Sequence, residues 1–101
     1  MIDVAANRKT NVDDLKNPGD FIFTEDGSGN ICGLIAVCPC GCAQEAGVRF
    51  ECSSYPEDKY PGVPKWKWDG SLDKPTLTPS IQKTIGCRWH GYLTNGVFVK
   101  C

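Results

Sequence analysis

Apolar and polar residues alternate at period two along several short runs, the signature of strands with one buried face. In "GVRFEC" (residues 47–52), Val48, Phe50 and Cys52 share one face, while Arg49 and Glu51 take the other. The runs "DFIFTE" (20–25) and "NICGLIAVC" (30–38) flank "DGSG", a turn signal, and together predict a β-hairpin. The second run is apolar on both faces, with Ile31, Ile35 and Val37 opposite Cys32, Leu34 and Ala36, which predicts a central strand. "YLTNGVFVK" (92–100) predicts a second hairpin, because Asn95 and Gly96 both tolerate the positive φ of a two-residue turn.

Other segments read less regularly. "WKWDGS" (66–71) is a short aromatic strand entering a turn, and "SSYPEDKYPGVPK" (53–65), with three prolines, is a loop. Pro75 and Pro79 cannot donate to a ladder, so "DKPTLTPSIQKTIG" (73–86) reads as an edge segment or ordered loop. Residues 1–19 lack strong periodicity and read as a mobile N-terminal arm with one weak helical turn around residues 12–16. No long helix is predicted. The pattern describes an all-β, β-rich fold: a small antiparallel sheet of hairpins, organised as one domain over residues 20–101.

Charge and composition narrow the chemistry. The formal net charge is −1 and no block of lysine or arginine stands out, which argues against a nucleic-acid partner. The longest apolar run, "ICGLIAVC", has eight residues, too few to cross a bilayer as a helix, so no membrane role is expected. The N-terminus carries no secretory pattern, which makes the cytoplasm the expected location. Disulfides rarely persist there, and seven cysteines cannot all pair within one chain. Seven thiols and one histidine point instead to a metal.

"CPCGC" (38–42) and "CRWH" (87–90) read as two halves of that site. Thiolate and imidazole are the usual ligands of tetrahedral structural zinc. Cys87 and His90 are separated by two residues within a glycine-bracketed turn, and Pro39 and Gly41 favour a fold-back around an ion. Cys38, Cys40, Cys42, Cys87 and His90 are the candidate ligands. Two of the first three thiols with Cys87 and His90 would complete a Cys3His set, Cys40 and Cys38 being favoured and Cys42 left over. Cys32 and Cys52 read as small buried hydrophobes by strand parity, and Cys101 as an exposed spectator. Trp66, Trp68 and Trp89 read as core and shielding residues around the metal loops, with an anchor for a partner as the alternative. No serine, cysteine or carboxylate pair is arranged about a general base in a recognisable pattern, and the one histidine is taken by the metal.

Two resemblances follow from these blocks. "CPCG" and "CRWHG" are similar to the two boxes of Rieske-type iron–sulfur domains, and "LDKPTLTPS" to the proline loop covering their cluster. A Rieske centre needs two histidines, whereas this chain has one, and 44 residues separate Cys42 from Cys87. Over about residues 20–99, "CPCGC…WDG…KPTLTPSI…CRWHGYLTNG" resembles a family of small uncharacterised phage, prophage and bacterial proteins, some labelled "ammonia monooxygenase". That resemblance implies a compact β domain, Rieske-like or zinc-ribbon-like, with a Cys/His metal site at Cys38, Cys40, Cys42, Cys87 and His90. It supplies no copper or di-iron ligand set to support the label.

The function expected from the sequence is a non-enzymatic zinc domain, phage- or prophage-encoded, in the host cytoplasm, whose metal staples two loops and whose surface binds another protein. The alternative is a Rieske-like [2Fe–2S] electron-transfer protein. A metal-dependent hydrolase would need an open coordination position, which four protein ligands would close.

Overall fold

A computed structural model describes residues 3–51, 65–82 and 87–100. The expectations for Cys52, Cys101 and residues 53–64 lie outside the described residues. Among the described residues there are nine strands: β1 (Val4–Ala5), β2 (Asn7–Arg8), β3 (Asp20–Glu25), β4 (Ile31–Val37), β5 (Glu45–Arg49), β6 (Lys67–Trp68), β7 (Leu77–Gln82), β8 (His90–Thr94) and β9 (Val97–Lys100). Among the described residues the only helical piece is a 3-10 turn at Val12–Asp14, capped by the Asn11 side chain accepting from the Asp13 N–H. No helix among them is long and apolar enough to cross a membrane.

The strands make two sheets, β1-β9-β8-β7-β6 and β2-β3-β4-β5. The fold is all-β, and every strand pair is antiparallel except β2 with β3. Both predicted hairpins form. β3 and β4 pair around residues 26–30, and β4 lies inside its sheet between β3 and β5, as its two apolar faces require. β8 and β9 pair Thr94 with Val97 across a two-residue turn, with Asn95 at φ 49° and Gly96 at φ 76°.

Inward residues of the two sheets share one core. Phe21, Leu34, Ala36 and Val48 come from one sheet, and Leu77, Ile81, Leu93 and Phe98 from the other, joined by Phe50, Trp89 and Cys38. Trp66 and Trp68 pack against this core, in keeping with the core-filling role read from the sequence. Phe50 stacks on Trp68 at 5.3 Å between ring centroids.

Three placements differ from the sequence reading. The proline-containing segment is not an edge: β7 lies between β6 and β8. It tolerates Pro79 because the β7–β8 ladder is irregular between Leu77 and Ile81, so no ladder bond is demanded there. Cys32 is buried as expected, but it is disulfide-bonded rather than a free thiol. The N-terminal arm contributes β1 to one sheet and β2 to the other.

Candidate metal centre and an adjoining serine–histidine pair

The turn after β4 is built by local hydrogen bonds. The Cys38 N–H reaches the Gln44 carbonyl at 2.7 Å, and the Gly41 N–H reaches the Cys38 carbonyl at 3.2 Å. This folds "CPCGC" back on itself rather than leaving it extended. Cys87 approaches from the other sheet, just before β8.

The four sulfurs of Cys38, Cys40, Cys42 and Cys87 all lie within 4.8 Å of one another. Cys38 Sγ is 3.3 Å from Cys40 Sγ and 3.4 Å from Cys87 Sγ, and Cys42 Sγ is 3.7 Å from Cys87 Sγ. Four thiolates around one tetrahedral zinc, at Zn–S distances of about 2.3 Å, would sit about 3.8 Å apart. Four cysteines can therefore hold one metal ion with only a slight expansion of these edges.

Each sulfur also receives a backbone N–H from the residue two ahead. Cys40 donates to Cys38, Cys42 to Cys40 at 3.3 Å, Gln44 to Cys42, and Trp89 to Cys87. Such donors favour thiolate over thiol, and so suit sulfurs that bind a cation. The backbone is bent to provide them. Gly41, Ala43 and Arg88, each following a ligand-type cysteine, have φ of 91°, 66° and 55°. For Ala43 and Arg88 that conformation costs about 1–2 kcal/mol each, so the surroundings must impose it.

The thiols are electrostatically unequal. Burial pushes Cys38 up to about 12. Hydrogen bonding from Cys40, then from the Trp89 N–H, holds Cys87 down at about 6. Burial also raises Cys40, and the Gln44 N–H lowers Cys42.

Of the five candidate ligands, the structure brings four together. Cys42, ranked last by the sequence, stands in the group, and His90 stands outside it. His90 opens β8, where Gly91 and Leu93 face the core while Tyr92 and Thr94 face out. Alternation therefore turns His90 to the outer face of its sheet. There its Nε2 meets Ser80 Oγ at 3.0 Å. Ser80 lies where the β7–β8 ladder is irregular, on the face opposite the buried Leu77 and Ile81.

Residues 7–101 match the family described as "Bacterial ubiquitination-like system serine protease (BubE)". The chain belongs to the BubE family. No curated protein and no solved structure matches it.

The Ser80–His90 contact pairs a hydroxyl with an imidazole across two neighbouring strands. A hydroxyl within hydrogen-bond reach of an imidazole is the nucleophile–base arrangement of covalent catalysis. The sequence reading assigned no catalytic serine. Ser80 and His90 are ten positions apart and meet only through the pairing of β7 with β8. A signal was nonetheless present: "PTLTPSI" and "CRWHG", two of the blocks that resemble small uncharacterised phage, prophage and bacterial proteins, contain these two residues.

Proposed function

We propose that this protein is a serine peptidase of a bacterial ubiquitination-like system, with Ser80 as nucleophile, His90 as general base and a structural zinc ion on Cys38, Cys40, Cys42 and Cys87. The observation that carries the reading is the 3.0 Å contact between Ser80 Oγ and His90 Nε2 in a chain of the BubE family. With the imidazole proton on Nδ1, Nε2 accepts the Ser80 hydroxyl proton as Oγ bonds to the carbonyl carbon of the scissile bond. The protonated His90 then gives that proton to the leaving group as the bond breaks. Water, deprotonated by His90, releases the acyl group from Ser80 and restores the hydroxyl.

Held by the thiolates of Cys38, Cys40, Cys42 and Cys87, a zinc ion would supply a cross-link and no hydrolytic water, since four protein ligands would leave no open position. The single close group of sulfurs favours one ion over a [2Fe–2S] cluster, whose cysteines divide into a pair on each iron. The zinc expected from the sequence thus remains in the reading, with Cys42 in place of His90. The protein partner becomes a polypeptide substrate, and a phage or prophage origin is compatible with it. The non-enzymatic role is replaced.

The test uses a fluorophosphonate, which reacts with activated serine hydroxyls. Mass spectrometry is expected to find one adduct, on Ser80, and none in Ser80→Ala or His90→Ala. An unmodified Ser80 in folded protein overturns the peptidase reading. For the metal, one zinc per chain in a colourless preparation is expected, and a brown iron-containing one would reverse the choice.

A further inference from the structure

Ser80 has a second neighbour that the mechanism does not use. The indole Nε1 of Trp66 donates to the Ser80 carbonyl oxygen at 3.1 Å. Trp66 is itself fixed to the other sheet's last strand. Its N–H reaches the Arg49 carbonyl at 2.8 Å, the Glu51 N–H reaches its carbonyl at 2.9 Å, and it forms a parallel bridge with Phe50. The half-buried indole spans from this anchor to the stretch of β7 where the ladder is irregular. A carbonyl in such a stretch lacks the regular strand neighbour that would fix its direction, and here a side chain fixes it.

We propose that Trp66 is a positioning residue for Ser80, its indole N–H holding the nucleophile's backbone in the orientation that keeps Oγ on His90. This rests on the reading of Ser80 as nucleophile. Its physical basis is that catalysis depends steeply on geometry: a misplacement of about 1 Å costs about 100-fold in rate. Losing one of several restraints allows a smaller shift, so a roughly tenfold effect is expected.

Trp68 provides an internal control. It also donates its indole N–H to a backbone carbonyl, but to that of Ser71, at 3.0 Å, rather than to that of Ser80. Trp66→Phe and Trp68→Phe each remove one such bond while keeping an aromatic ring.

The experiment compares fluorophosphonate labelling rates, and kcat and KM on a cleavable polypeptide ester, in the full chain. Trp66→Phe is expected to lower the labelling rate and kcat about tenfold with KM unchanged, and Trp68→Phe to leave all three near wild type. Should Trp66→Phe fail to fold, benzothienylalanine at position 66, which keeps the bicyclic shape and lacks the N–H, is expected to give the same slow labelling. Wild-type rates in the folded position-66 variants, or equal losses in the position-66 and position-68 variants, overturn the positioning role. A wild-type chain whose Ser80 does not label fails the peptidase reading itself, and the proposal falls with it.

Discussion

The cysteine group and the Ser80–His90 pair lie three residues apart along the chain, from Cys87 to His90, yet they are built in opposite ways. The cysteines join the two sheets: three come from the turn after β4 and one from the segment before β8. Ser80 and His90 sit within one sheet, on neighbouring strands. In the proposed function the first site would act by what it cross-links, the second by how accurately two side chains are aimed. A domain of this size has limited core to spare, so it can place a demanding geometry on one sheet only if something else fixes the sheets together. The cysteine group is suited to that work, and Cys87 delivers it next to His90.

The largest expected effect breaks the first site. Structural zinc in small domains is worth about 10–16 kcal/mol of apparent binding energy at neutral pH, comparable with the whole stability of a domain. Chelation, or Cys38→Ser at a position only 1% exposed, is expected to abolish the cooperative thermal transition and Ser80 labelling together. Ser80→Ala is expected to abolish labelling while shifting Tm by no more than about 2 °C, since a half-buried hydroxyl contributes little to stability. Calorimetry on the two variants checks this contrast. A chelated protein that retains its Tm would show that the cysteines do not bear the fold.

The same contrast explains what the sequence could reveal. Cys38, Cys40 and Cys42 lie within five residues, and their clustering with Pro39 and Gly41 is a local pattern, visible without knowing the fold. The hairpin at Asn95-Gly96 and the central place of β4 are local in the same sense, being set by turn chemistry and facial polarity. His90 was drawn to the metal because a Cys-x-x-His spacing fits a ligand turn, and only the onset of β8 at His90 turns its ring away. Ser80 was hidden by Pro75 and Pro79, which argue for a loop. Ser80 falls within the irregular stretch of β7 that admits the proline. A pair that depends on the register between two strands is not written in either strand alone.

A smaller perturbation tests how the two sites are coupled. Gly91 follows His90 and pairs with Ile81 and Lys100. A Cβ there would press on the Val99 carbonyl oxygen and come within 2.7 Å of the Trp89 ring. Trp89 is buried and also gives its N–H to Cys87, so displacing it disturbs the approach to the cysteines as well as to His90. Gly91→Ala is expected to cost about 1–3 kcal/mol by overpacking, to slow Ser80 labelling and to weaken zinc retention against a chelator. Chemical denaturation, labelling and a zinc competition assay on one preparation separate the three. Unchanged zinc retention alongside slowed labelling would confine the coupling to the strand carrying His90.

The smallest effect belongs to a charge that touches neither group. Asp20 is buried, 2% exposed, at the start of β3, and its Oδ2 accepts the backbone N–H groups of Lys16 at 3.1 Å and Asn17 at 2.9 Å. Burial alone would raise its pKa, but those two N–H donors and the Lys9 charge outweigh it and hold the carboxyl below its ordinary value. A depressed folded-state pKa stabilises the protein above the unfolded value of about 3.9, and that stabilisation fades as pH falls through the folded value. Asp20→Asn is therefore expected to cost about 1–2 kcal/mol at pH 7, with the gap from wild type closing below about pH 4. Ser80 labelling at neutral pH should be unaffected while the variant stays folded, because the carboxyl has no bond to either group. Urea titrations across the pH range check the sign: a gap that persists or widens in acid would mean that Asp20 acts through packing rather than through its charge.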